Sequence, residues 1–401
     1  MTITRLGAQG DGIAETAEGP RFVPFALPGE RVRLGAAEMP EVLPPASPER
    51  QAPICRHFGA CGGCVAQHMS ARLYGDWKRG IVVEAFRQRG LAPEVAPLVR
   101  VALGSRRRAV LTAQRRGGEI VLGYHRRRSG ELLDLGECPV LVPEISAQLA
   151  ALRAVAGALA EPELRLTVVA SSVGLDIAVE GGGRCDGKAA ASIGRLAAEH
   201  RIARISVSGE TLIERAKPVL PIAGVDLVPP AGVFVQAVAD AEHAMAGLVT
   251  AAAGKARRVV DLFAGVGTFT FPLARRARVL AVDGEAEALA ALSAAARGAS
   301  GLKPIETKQR DLYREPLAAL ELKEFDAAVL DPPRAGARAQ CEALARSAVP
   351  VVMYVSCDPA TLARDVRTLV GAGYRLEAVT PIDQFLFSAH VEVVAVLRRD
   401  R

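Results

Sequence analysis

The stretch MYVSCDPATLARD, at 353–365, sets Cys357 directly after an apolar run and before an Asp-Pro pair and a helix-like segment. A thiol placed there is a core filler, a metal ligand or a nucleophile, and its surroundings must decide. A second group, CRHFGACGGCVAQH, spaces Cys55, Cys61 and Cys64 as CxxxxxCxxC. Gly62 and Gly63 let the backbone wrap a small centre there. A closed four-thiolate site needs one more sulfur. Cys138, in LGECPV with Pro139 stiffening the turn, is the best candidate; Cys185, in GGGRCDG, is a weaker one. Cys341 lies in a helical stretch and reads as core. Spacing alone does not separate zinc from an iron–sulfur centre.

A ligand pocket is legible further along. VVDLFAGVGTFTFPLA reads as strand, glycine turn and helix, with Gly265 and Gly267 allowing close backbone approach and the helix start offering free N–H groups. RVLAVDGE is a second strand ending on Asp283, where an acid can bind both ribose hydroxyls. A dinucleotide site would want a third glycine, but Phe269, Thr270 and Phe271 fill that region. Asp261, before the turn, suits a cationic or amine-bearing ligand. S-adenosylmethionine, with its sulfonium, amino group and ribose, fits better than NAD. Asp311 follows the strand-like run before QRDLY, and Asp331 ends the strand of FDAAVLDPPRAG. Ligands of open α/β sheets gather beyond the carboxyl ends of strands. Asp283, Asp311, Asp331 and Cys357 are expected to meet there.

A thiol beside a methyl donor implies particular chemistry. C5 of uracil is too weak a nucleophile to take a methyl group directly. Thiolate addition at C6 makes C5 carbanion-like, C5 attacks the sulfonium methyl, a base then removes the C5 proton, and the thiolate is expelled. Positive charge or a helix N-terminus should lower the thiol's pKa. In IDQFLFSAHVEVVAVLRR, His390 and Glu392 stand two apart on an extended chain and should point the same way. Glu392 is the candidate base.

The elements that must position these groups fall into three parts. Residues 1–48 alternate in short runs broken by Gly and Pro, as in a small β-barrel, and MPEVLPPASPERQAP reads as a linker. Residues 49–225 hold the cysteine group, a helix around Ala71–Arg89 and strand pairs such as LRLTVVASSVGLDIAVEGG, an α+β pattern. From 226 to 401, apolar strands alternate with Ala-rich helices, which implies a Rossmann-like, doubly wound α/β sheet.

Composition narrows the class. The 401 residues are 50% hydrophobic with a net charge of +6, and they contain no apolar run of membrane-spanning length. No signal peptide is evident, so a cytoplasmic address is expected, and seven cysteines there point to metal or catalysis over disulfides. Nine arginines against one acid, Glu119, lie between Arg100 and Arg128, which would attract a polyanion. His125 and Arg126–Arg128 are candidate phosphate contacts.

Together these residues resemble the RNA 5-methyluridine methyltransferases, and within them the iron–sulfur branch acting on 23S ribosomal RNA. SCDPATLARD resembles the nucleophile signature, with Asp358 replacing an Asn; DPPRAG resembles the DPPRxG motif. The resemblance implies a class I methyltransferase fold with catalytic Cys357 and Glu392. It assigns the donor to Gln236, Phe263, Gly265, Thr268, Asp283, Asp311 and Asp331. It implies a [4Fe–4S] cluster on Cys55, Cys61, Cys64 and Cys138, a TRAM-like, OB-like RNA-binding N-terminal domain, and an RNA substrate; a monomer is adequate for that. Cytosine-5 methyltransferases carry a second cysteine where Arg334 stands, so uracil is favoured. Departures lie at Thr268, Val238, Leu386 and Ser388. Those around FLFSAHVE leave open an inactive RNA binder as the alternative, and a tRNA substrate is a second one.

Overall fold

The computed structural model describes residues 1–34, 39–183 and 185–399. Positions 35–38 of the expected barrel and 400–401 at the C-terminus lie outside the described residues. The N-terminal strands are β1 (Arg5–Leu6), β2 (Gly12–Thr16), β3 (Gly19–Val23), β4 (Arg31–Arg33) and β5 (Glu41–Leu43). They form a three-stranded antiparallel sheet and a β4–β5 ribbon, joined by a Thr2–Arg31 bridge around Ile3, Ala14, Val23, Ala26 and Val32. Part of the Pro-rich stretch is therefore strand. Glu41–Leu43 contains no proline, pairs with β4, and rests Val42 on that core.

The central region holds α1 (Ala71–Arg87), β6 (Arg108–Arg116), β7 (Glu119–His125), β8 (Leu132–Asp134), α2 (Pro143–Ser146) and α3 (Leu149–Ala158). It continues with β9 (Glu163–Ser171), β10 (Gly174–Glu180), α4 (Gly187–Glu199), β11 (Ile202–Val207) and β12 (Glu210–Glu214). Its sheet runs β12-β11-β10-β9-β6-β7-β8, with only the β10–β11 pair parallel. Helix α1 does not pack there. Ser70 caps it by accepting from the Leu73 N–H at 3.1 Å. Its buried Val82 and Phe86, one turn apart, join the core beneath the C-terminal sheet. Val95 and Val99 then run beside Val379 and Ile382, so this stretch ties the middle of the chain to its end.

After the hairpin β13 (Leu220–Ile222) and β14 (Val225–Leu227) come α5 (Ala239–Ala253), β15 (Arg258–Leu262), α6 (Thr270–Ala274), β16 (Arg278–Asp283) and α7 (Ala286–Gly298). The chain ends with β17 (Ile305–Gln309), β18 (Ala327–Leu330), α8 (Arg338–Arg346), β19 (Val351–Ser356), α9 (Pro359–Gly371), β20 (Arg375–Ile382) and β21 (Glu392–Arg398). The sheet order is β17-β16-β15-β18-β19-β21-β20, all parallel except β21. This is the Rossmann-like class I methyltransferase arrangement. Both faces are buried, as the continuous apolar strands require. Val260, Leu330 and Val352 pack toward α8 and α9, while their neighbours Val259, Val329 and Met353 pack toward α5.

The order reverses between β15 and β18, and the crevice lies beyond their carboxyl ends. Because β21 is antiparallel, its amino end arrives at that same edge. Glu392, its first residue, thus joins residues that follow the other strands.

Candidate active site and cysteine cavity

Asp283, Asp311, Asp331 and Cys357 each stand at or just after the carboxyl end of a strand at this edge. Asp283 closes β16, and its two oxygens accept from the Gly265 and Glu285 N–H groups, each at 2.8 Å. That clamp sets the glycine turn. Gly265 has φ +51°, and a Cβ there would meet nothing within 4 Å, so the turn faces open room for a ligand. At Gly267, φ +100°, a Cβ would stand 2.9 Å from the Phe271 ring. Phe263, also at positive φ, lies 5.4 Å from Tyr313 between ring centres. Asp311 accepts from the Tyr313 N–H at 2.9 Å and stays exposed. Thr268 is buried beside the turn. The helix after it differs from expectation: α6 starts only at Thr270 and is five residues long. Tight glycine backbone, not a long helix end, lines this side.

Behind the turn the pocket collects uncompensated acid. Asp261 is fully buried; Thr270 donates to its Oδ2, while Oδ1 has no partner among the described residues. Burial pushes its carboxyl up to about 7. Asp331 is held well above the usual carboxylate range by burial, then by Glu392 and Asp261. Burial also raises Glu392 to about 7. A cationic ligand is what such a site lacks, so these residues fit the sulfonium and amino group of S-adenosylmethionine.

Cys357 follows β19 and is half buried. Asp358 fills the role its Asn counterpart would: its Oδ1 accepts from the Ala360 and Thr361 N–H groups, each at 3.0 Å, and Pro359 opens α9. The expected lowering of the thiol pKa is reversed. Burial and the Glu392 carboxylate push it up to about 11, against the charge of Arg334 and, less, its hydrogen bond, which pull it down. His390 and Glu392 also part company. Glu392 is buried toward the pocket, whereas His390 is exposed, its Nε2 3.0 Å from Arg334 Nη2.

Gln236, just before α5, is 3% exposed and donates through Nε2 to Asp331 Oδ2 at 3.2 Å. Central-region residues hold this segment: Arg106 bridges Val238, and Arg107 Nε donates to the Gln236 carbonyl at 3.1 Å while pairing with Glu242 at 2.9 Å. Arg107 is therefore structural and not free for a polyanion. The candidate phosphate contacts differ in exposure: the side chains of Arg126 and Arg128 stay open, while that of Arg127 is largely covered. Arg127 and Arg128 both bind the buried Asp11 of the N-terminal unit, Arg126 pairs with Glu131 at 3.2 Å, and His125 Nδ1 lies 3.2 Å from the Gly130 carbonyl. Two pocket partners carried no motif in the sequence: Gln384, which bonds Gln236 and Glu392, and Lys78, 3.0 Å from Asp383.

Next to Arg334 and His390 opens a cavity of about 360 Å³ lined by Cys55, Cys61, Cys64 and Cys138. Burial raises the Cys61, Cys64 and Cys138 thiols, and the charge of neighbouring cysteines of the group adds to it. Cys185 lies apart from them, near Asp186. Gly62 is required, because a Cβ would stand 2.9 Å from the His125 carbonyl. The Gly63 N–H donates to Cys61 Sγ at 3.4 Å, and the Val140 and Leu141 N–H groups turn toward Cys138. Among the described residues, no three His, Cys, Asp or Glu side chains close on a single ion position.

The fold and pocket define an S-adenosylmethionine-dependent methyltransferase. Residues 219–400 match the family model described as tRNA (Uracil-5-)-methyltransferase. An uncharacterised RNA methyltransferase of Rhizobium meliloti (strain 1021) is 50% identical over 411 residues, covering 100% of this chain and 99% of that protein. The 23S rRNA (uracil(1939)-C(5))-methyltransferase RlmD of Chromohalobacter salexigens is 36% identical over 428 residues, covering 100% and 89%. The structure of Pyrococcus abyssi tRNA (uracil-54, C5)-methyltransferase with S-adenosyl-L-homocysteine shares the fold, with a TM-score of 0.74, 23% identity and 99% of both chains covered. The chain belongs to the RNA 5-methyluridine methyltransferase family, which are S-adenosylmethionine-dependent RNA (uracil-C5) methyltransferases. Among the described residues, no helix is long and apolar enough to cross a membrane.

Proposed function

We propose that this protein methylates C5 of a uridine in 23S ribosomal RNA through a covalent Cys357–C6 adduct. The observation that carries the reading is the meeting of Cys357, Glu392, Asp331 and Gln236 in one pocket beside the glycine turn. Gln236, Phe263, Gly265, Thr268, Asp283, Asp311 and Asp331 would hold S-adenosylmethionine, which supplies the methyl group that C5 takes. Arg334 assists ionisation of Cys357, whose sulfur adds to C6 and makes C5 nucleophilic. Glu392 then takes the C5 proton, the C5–C6 double bond re-forms, and the thiolate leaves. The target base must be flipped or unpaired to reach the thiol.

The relative named for 23S rRNA spans this whole chain, which supports that substrate. The four cysteines and their N–H donors fit a [4Fe–4S] cluster, whose thiolates each hold a different iron. The 1–48 unit is proposed as an OB-like RNA-binding module on the 49–225 cluster domain, with 226–401 as the methyltransferase domain.

The test is incubation with S-adenosylmethionine and RNA containing 5-fluorouracil. Fluorine cannot leave as a proton, so a methylated adduct accumulates on Cys357 and is absent from Cys357→Ala. Absence of an adduct on 23S rRNA fragments and bulk RNA alike would overturn the covalent mechanism.

A further inference from the structure

Gln384 lies in the irregular segment between β20 and β21 and is 1% exposed. Its side chain spends every polar atom inside the protein. The Oε1 accepts from the Val238 N–H at 3.4 Å. An N–H can only donate, so the other end of the amide must be nitrogen. That nitrogen donates to Gln236 Oε1 at 2.8 Å and to Glu392 Oε1 at 3.1 Å. Gln236 is oriented in turn: its oxygen faces Gln384, so its own Nε2 faces Asp331. Two amides thus link the Asp331 and Glu392 carboxylates. The backbone around Gln384 is held from α1, where Tyr74 and Lys78 bind Asp383 and Lys78 also donates to the carbonyls of Phe385 and His390.

We propose that Gln384 is a positioning residue for methyl transfer: it fixes the Glu392 carboxylate and sets which end of the Gln236 amide faces the ligand pocket. This rests on Glu392 being the base. A buried carboxylate with no donor is costly, and Gln384 is the hydrogen-bonding group that favours its charged form, with Arg334 acting through charge alone. Cys357 and Asp331 also face Glu392, and both couple to its negative charge. The Gln384 amide also serves the start of α5, because Val238 makes no side-chain cap of its own.

The experiment compares Gln384→Met with Glu392→Gln in the full-length protein, on uridine-containing RNA, from pH 6 to 9. Methionine keeps the length but offers no hydrogen bonds of comparable strength. Turnover by Gln384→Met is expected to fall about 10- to 100-fold at pH 7, because a displaced base loses much of its effect. The rising limb of its pH profile is expected to move upward. Should Gln384→Met not fold, Gln384→Asn, which withdraws the amide by one carbon, takes its place. An unmoved limb overturns the proposal, whether turnover is kept or merely lowered by a structural defect. Retained turnover in Glu392→Gln overturns the base assignment and this inference with it; turnover lost there while Gln384→Met behaves as wild type overturns this inference alone.

Discussion

The Glu392 carboxylate stands near enough to Cys357 to oppose formation of the thiolate, adding to the burial that pushes the thiol up to about 11. The proposed nucleophile and base therefore oppose each other's charge. Both must lose protons to work, so turnover should rise with pH. The Glu392 limb is centred near 7 in the free enzyme, and kcat/KM between pH 5.5 and 9 reads it. Glu392→Gln should remove that limb and lower turnover by about 10²–10⁴. A profile that falls between pH 6 and 8 would place the acid and base differently.

Donor binding should be linked to protons. Burial holds the Asp261 carboxyl at about 7 and the Asp331 carboxyl well above its usual range. A sulfonium and an ammonium nearby favour the charged forms, so binding S-adenosylmethionine releases protons and tightens as pH rises from 6 to 8. Calorimetry in buffers of differing ionisation enthalpy measures the release. Asp261→Asn should reduce it and weaken binding about 10-fold, the cost of roughly 1.4 kcal/mol.

The same burial costs the folded protein stability. A carboxyl whose pKa rises on folding has its smallest cost below its unfolded value, and the cost grows as pH climbs through the folded value. For Glu392, moving from 4.5 to about 7, this amounts to about 3 kcal/mol by pH 8. Glu392→Gln should therefore melt at a higher temperature than wild type at pH 8 without ligand, with the gap closing near pH 5. Catalytic loss paired with stability gain is the mark of a strained functional group.

Much of this pocket is legible in the sequence because strands announce their own ends. An apolar run followed by Asp or Cys locates Asp283, Asp331 and Cys357, and the doubly wound order brings them together without further information. What is not legible is set by burial and long-range pairing. An arginine run looks uniform, yet Arg107 is buried against Glu242 and Arg127 against Asp11, while Arg128 keeps an exposed side chain. The direction of the Cys357 shift depends on how deeply α9 and β21 cover it. Gln384 has neither motif nor periodicity, since its partners arrive from residues 236–238 and from the start of an antiparallel strand.

The cysteine cavity adjoins the segment that leads to Glu392, and this predicts how loss of the proposed cluster would be felt. Val65 and Ala66, directly after Cys64, donate their N–H groups to the Phe387 carbonyl at 2.8 and 3.2 Å. Leu386, Phe387 and Ala389 pack on the cluster of Ala66, Met69, Tyr74 and Trp77. The loop carrying the thiols is thus one wall of the segment that leads to Glu392. The proposed [4Fe–4S] cluster would hold the four cysteines together through its irons, and without it the Cys61–Ala66 loop would lose that anchor. Cys61→Ser should lack visible absorbance. Amide exchange should quicken at 383–390 while the buried strand β15 keeps its protection. Methylation should fall with the loosening of that segment. Unchanged exchange at 383–390 in a variant without absorbance would confine the centre to its own domain.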